Sequence, residues 1–155
     1  MWPPGAGPSA REAIEELMRT RGLRGGFESH VRRAARRARD NPPAQSGSPA
    51  RRDLRELATF TIDPSSARDY DDALSAEAIS ADVVRVWVHI ADVSAYVREG
   101  SPLDDEARRR ATSVYVPGAV EPMLPAELST DACSLLPGAE RLAVTAELEL
   151  HGARV

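Results

Sequence analysis

The stretch F-T-I-D-P-S-S-A-R-D-Y-D-D-A-L, running from Phe60 to Leu74, places four carboxylates, Asp63, Asp69, Asp71 and Asp72, within ten residues. Four such groups about 5 Å apart repel by roughly 3 kcal/mol per pair at an effective dielectric near 20. A sequence sustains this only if the side chains splay into water or a cation holds them. A solvated acidic turn is the commoner explanation of an aspartate-rich loop, and spacing alone favours it. The context favours a cation, because Ala67, Tyr70, Ala73 and Leu74 pull the loop toward a core and extended segments flank it. A calcium loop of the EF-hand type is excluded. A count from Asp63 puts Arg68 where the glycine belongs and Leu74 where the bidentate glutamate belongs. All-oxygen donors suit magnesium or manganese, and two such ions activate water and stabilise the leaving oxygen of a phosphodiester displacement. That is nuclease or phosphotransfer chemistry, and the pattern does not choose between them.

The elements that must position these groups are legible on both sides. Leu57 to Ile62 reads as a short strand delivering the chain to Asp63, and Pro64, Ser65 and Ser66 turn it back so that Asp63 meets Asp69 and Asp71. Val84, Val86, Val88 and Ile90 alternate with Arg85, Trp87, His89 and Ala91, a strand with one core face and one mixed face. His89 on the mixed face reads as a structural histidine beside Trp87, with a ligand or acid-base role as the alternative. Asp92 either joins the carboxylates or caps the turn at Ser94. Ser101-Pro102-Leu103-Asp104 starts a helix, with acids at its positive end and Arg108, Arg109 and Arg110 at its negative end. A short extended piece spans Thr112 to Val116, and Leu142 to Leu150 alternates as a last half-buried strand.

Ahead of these lies a different region. Ser9 and Glu12 form a capping box for a helix that stops at Gly22, and residues 1–8 read as a disordered tip. A second helix runs from Phe27 to Arg39, with Arg32, Arg33, Arg36, Arg37 and Arg39 around a narrow apolar stripe. That cluster reads as a solvated, ion-paired face, with RNA phosphate as the alternative. The sequence N-P-P-A-Q-S-G-S-P-A over 41–50 marks a linker. The division is therefore a helical arm over 1–40, the linker, and a domain over 51–155. Charge changes sign there, from +4 to −8, and all twenty basic residues are arginine. The acidic part repels a polyanion unless metal or a basic surface intervenes. A lone cysteine, no leader-like opening and no run long enough to span a membrane point to the cytoplasm.

The run F-T-I-D-P-S-S-A-R-D-Y-D-D-A, followed by V-H-I-A-D-V-S-A-Y-V, G-S-P-L-D-D-E-A, T-S-V-Y-V-P, P-M-L-P-A-E-L-S and C-S-L-L-P-G, closely resembles the start of the catalytic (RNB) domain of the ribonuclease II and ribonuclease R family. The resemblance covers about residues 51–150. It implies an α+β fold, a partial RNB-type domain with a mixed, largely antiparallel sheet behind a helical arm. It also implies a magnesium-dependent hydrolytic exoribonuclease that digests single-stranded RNA from the 3′ end and releases nucleoside 5′-monophosphates. Carried over by motif, Asp63, Asp69, Asp71 and Asp72 hold magnesium, Asp63 and Asp72 as direct ligands, with Asp69 and Asp71 catalytic and Asp71 the most critical. Tyr115 in T-S-V-Y-V-P stacks on a base near the 3′ end. In that family the domain continues past the end of this sequence with a catalytic arginine, a glutamate, an aromatic clamp and an OB-fold. The expectation is thus a fragment of a longer enzyme, or else a non-catalytic remnant that binds RNA or protein through the Arg-rich helix 27–39.

Overall fold

A computed structural model of the chain describes residues 9–20, 22, 26–42, 51–116 and 119–152. The expected disordered tip over 1–8 and linker residues 43–50 lie outside them. Helix α1, Ala10–Thr20, opens on the expected capping box: the Ser9 backbone N–H donates to Glu12 Oε2 at 2.7 Å. It closes on Gly22, whose φ of 71° is the left-handed conformation that glycine adopts without a Cβ clash. Helix α2 spans Ser29–Asp40.

Four antiparallel strands make the main sheet in the order β1-β2-β3-β6: β1 Thr59–Phe60, β2 Asp72–Ala78, β3 Val83–Ala91 and β6 Ala143–His151. Helix α3, Pro102–Arg110, follows β3, capped by the Ser101 hydroxyl, which accepts from the Asp104 N–H. A separate hairpin pairs β4, Val114–Val116, with β5, Ala119–Glu121. A π-helical turn at Leu128–Ala132 precedes β6. The fold is α+β with antiparallel sheets, as expected. Two elements depart from the sequence reading. The strand expected over 57–62 is only two residues long, because the chain leaves the sheet edge at Thr61 and Ile62 is 79% exposed. β2 was not anticipated, since its sequence DALSAEA holds no bulky apolar alternation.

β3 inverts its apparent sidedness. Trp87, His89 and Ala91, on the mixed face, are buried, whereas Ile90 on the aliphatic face is 47% exposed. Burial of His89 is tolerable because both ring nitrogens have partners at 3.0 Å, Ser75 Oγ and Thr145 Oγ1. The small side chains of Ala73 and Ser75 on β2 leave room there for Trp87. By register Phe60, Leu74, Val88, Ala146 and their neighbours Val86, Ile90, Val144 and Leu148 share the opposite face, with Val144 61% exposed. The expected half-buried last strand thus turns its aliphatic side outward.

The core lies to one side of the sheet's end. Val31 and Ala35 of α2 pack with Ala91, Leu103, Leu128, Ala132 and Cys133, surrounded by Phe27, Ala34, Val93, Tyr96 and Leu135. α2, read from the sequence as part of an N-terminal arm, contributes two of its most buried residues to this core. Burial pushes the Cys133 thiol up to about 11.

Arg110 fastens α2's entry to that core. Its guanidinium donates to Glu106, Glu121, the Pro122 carbonyl and the Gly26 carbonyl, and lies 3.8 Å from the Phe27 ring centroid. The side chains of Arg110 and Glu121 are 8% and 7% exposed. Arg110→Ala would leave Glu121 buried without its partner and should cost about 3–5 kcal/mol in urea denaturation. Arg110→Lys should recover little of it, because one ammonium cannot reproduce the fork.

Glu106 carries a pH signature. Hydrogen bonding from Arg109, against the opposing effect of burial and with help from Arg110, lowers its carboxyl from 4.5 to about 2. A depressed folded-state value means that its contribution is complete above about pH 4.5 and is lost as pH falls toward about 2. Glu106→Gln should therefore flatten the melting temperature against pH across that window, as followed by circular dichroism.

Candidate functional site

The carboxylate loop begins where β1 ends. The Ala67 N–H donates to the Pro64 carbonyl at 2.9 Å, closing the expected turn between Asp63 and Asp69. Beyond it, Ser134 holds the backbone on both sides of Asp69. Its hydroxyl accepts from the Tyr70 N–H and donates to the Arg68 carbonyl, each at 3.0 Å, and Ser134 is 0% exposed. The Leu135 N–H adds a bond to the Tyr70 carbonyl at 2.9 Å. The Asp69 side chain is fixed from a third direction, for the Tyr115 hydroxyl donates to its Oδ2 at 2.7 Å. Asp71 is placed by its carbonyl, which accepts from the Ala91 N–H at 2.9 Å, and Asp72 opens β2 opposite Ile90.

Asp69 is half-buried, and Asp63, Asp71 and Asp72 are exposed. Although much of its surface is exposed, the protein packed around the Asp71 carboxyl raises it above the ordinary range by partial desolvation first, then by the charges of Asp69, Asp72 and Asp63 in falling order. The four aspartates therefore share one electrostatic neighbourhood. Among the described residues, no three His, Cys, Asp or Glu side chains are gathered closely enough to enclose an ion. The donor chemistry and the mutual repulsion fit a hard cation. The spacing of the side chains does not itself form a closed cage.

Tyr115 projects from β4 and is 61% exposed, and its hydroxyl bond to Asp69 puts an aromatic side chain next to the aspartates. Hydrogen bonding to Asp69, then burial, raises its hydroxyl above the ordinary tyrosine range. The two residues left open by the sequence fall outside the site. His89 points to the sheet face opposite Asp72, bonded to Ser75 and Thr145, and burial lowers its pKa. Asp92 caps the turn after β3: it accepts from Ser94 Oγ at 2.7 Å and pairs with Arg51 at 2.5 Å. Burial pushes the Asp92 carboxyl up, but the bonds from Ser94 and Arg51 outweigh it and hold the group below the usual range.

Sequence reasoning missed Ser134. Its signal was a polar residue inside the apolar run Ala132 to Leu136, where only a hydrogen-bonded hydroxyl is cheaply buried. Ser134→Ala leaves the Tyr70 N–H and the Arg68 carbonyl short of a partner, and should cost about 1–3 kcal/mol in urea denaturation.

The comparisons with known proteins agree on one family. The RNB domain profile matches residues 51–154. Ribonuclease R of Thermotoga maritima is 50% identical over 100 residues, 64% of this chain and 14% of that protein. Ribonuclease R of Escherichia coli is 53% identical over 96 residues, 62% of this chain and 12% of that protein. The chain thus spans about an eighth of the length of the curated relatives it matches. Among solved structures, Mycoplasma genitalium RNase R in complex with ribose methylated single-stranded RNA superposes with a TM-score of 0.83 at 32% identity, over 92% of this chain and 22% of that one. That coverage reaches into the helices ahead of residue 51. With the aspartate loop, the antiparallel sheet and the profile match falling on the same residues, the chain belongs to the RNB domain family.

Proposed function

We propose that this chain carries the acidic part of the active site of a hydrolytic 3′-to-5′ exoribonuclease acting on single-stranded RNA in the cytoplasm and releasing nucleoside 5′-monophosphates. The observation that carries the reading is the raised carboxyl of Asp71 among Asp69, Asp72 and Asp63, in a loop that Ser134 and Tyr115 hold in place. A like-charged cluster supported this firmly is a standing demand for positive charge. Asp63, Asp69, Asp71 and Asp72 would hold magnesium or manganese, with Asp63 and Asp72 as direct ligands and Asp71 nearest the chemistry. When bound, such ions lower the pKa of an attacking water and stabilise the leaving oxygen of the phosphodiester. The chain's own groups orient the substrate. Tyr115 offers a stacking surface for a base close to the scissile phosphate, a sequence-tolerant contact worth about 1–3 kcal/mol. Its hydroxyl meanwhile holds the Asp69 carboxylate through the bond to Oδ2.

A second reading, a non-catalytic module that binds RNA or protein through the Arg-rich helix, is favoured by one observation. Among the described residues no three ligands are closed around an ion. Thermal melting separates the two. Without metal, Asp71→Asn should melt above wild type, because the folded state disfavours ionised Asp71 and the amide removes that repulsion. With millimolar magnesium the wild type should gain stability and the variant should not. Any magnesium-dependent shortening of a 5′-labelled single-stranded RNA by the wild-type chain should be slow at best, and it should be absent in Asp71→Asn. A wild type indifferent to magnesium in both assays would overturn the catalytic reading.

A further inference from the structure

We propose a second anionic-ligand site, separate from the aspartates: the recess between the last turn of α2 and the turn after β3 binds backbone phosphate of single-stranded RNA through Arg37 and Arg98. The proposal rests on the reading above that RNA is the substrate.

The arginines of α2 divide into two sets. Arg36 pairs with Glu127 at 3.0 Å, and Arg39 with Asp40 at 2.8 Å and Asp131 at 3.8 Å. Arg37 has no carboxylate partner among the described residues, and neither has Arg98. These two come from different elements, yet both line one recess of about 320 Å³, together with Ala38, Asn41, Ala95 and Tyr96. Two guanidinium groups without carboxylate partners on one recess favour an anion between them. A guanidinium fork matches phosphate oxygens in pairs, and two forks lining one recess can grip one phosphate.

The other walls suit a nucleotide. Tyr96 gives an aromatic flank, and its hydroxyl has no hydrogen-bond partner among the described residues. The negative end of α2, which would repel an anion, is partly quenched: the Arg37 carbonyl accepts from both the backbone and the side-chain N–H of Asn41, at 3.1 and 2.9 Å. The volume lies at the low end for a bound small ligand, enough for a phosphate with its sugar. Arg33, one turn back on α2 and also without a carboxylate partner, continues the positive strip along the helix. Residues 51–155 carry a net −8, so a positive strip on the helical side offsets part of the repulsion that an RNA strand meets on this chain.

The test is fluorescence anisotropy of a labelled single-stranded oligouridylate with the whole chain, in EDTA and across a range of salt. Arg37→Ala/Arg98→Ala should weaken binding roughly tenfold and flatten the slope of log K against log salt by about 1.4, two phosphate contacts at about 0.7 each. Arg19→Ala/Arg108→Ala removes the same net charge from arginines already paired with Glu16 and Asp104, and should bind as wild type. Equal losses in the two double variants, no loss in either, or a wild type that binds no RNA would each overturn the proposal. So would a loss confined to an acidic peptide, polyglutamate, tested in place of RNA, which would make the recess a protein-docking site. The magnesium-induced melting shift of Arg37→Ala/Arg98→Ala reads the aspartate site separately and should match wild type.

Discussion

A single buried cation organises the helical side of this molecule. Arg110 sits at the end of α3, where its charge also complements the negative end of the helix dipole, and its donors are shared among two carboxylates and two carbonyls. Burying such a group is expensive, and it is tolerated only because nearly every donor finds an acceptor and the flat face finds Phe27. The acceptors lie in three places that are remote in sequence: the approach to α2, α3 itself, and β5 with the residue after it. Satisfying one guanidinium therefore fixes where α2 enters, and α2 then fills the core with Val31 and Ala35.

The site depends on this core at one remove. The π-helical turn packs Leu128 and Ala132 against α2, and its last bond, from the Cys133 N–H to the Leu128 carbonyl at 2.9 Å, delivers Ser134 beneath the aspartate loop. Asp69 is then held through its neighbours' backbone and through Tyr115. The aspartates contribute repulsion and little else to folding, so their positions must be imposed from outside the loop. That is the usual arrangement where stability is exchanged for binding capacity.

Much of this was legible in the sequence because local chemistry decided it. The capping box at Ser9, the Ser101-Pro102 helix start and the alternation of β3 each need only neighbouring residues to be recognised. The clustering of the four aspartates was visible from residue types, although their spacing alone favoured a solvated turn over a cation site. What could not be read was long-range. β2 exists because it pairs with β3 over seven residues, although its own side chains are small. The buried face of β3 was hidden because His89 looks polar until Ser75 and Thr145 are placed beside it. The outward aliphatic face of β3 and β6 shows the converse, for apolar alternation specifies a strand and says nothing about which side finds a cover. Ser134 and Asp69 lie 65 positions apart, and no local pattern links them.

Cys133 adds a property that has nothing to do with redox chemistry or metal. The residue is 3% exposed and burial pushes its thiol up to about 11, so in the closed molecule it is almost never a thiolate and a reagent is kept from it. It is also the only cysteine of the chain and the immediate neighbour of Ser134. Alkylation can therefore proceed only through conformations in which the floor under the aspartate loop has come apart. The molecule carries its own reporter, and the labelling rate relative to an exposed thiol measures how rarely the site comes apart.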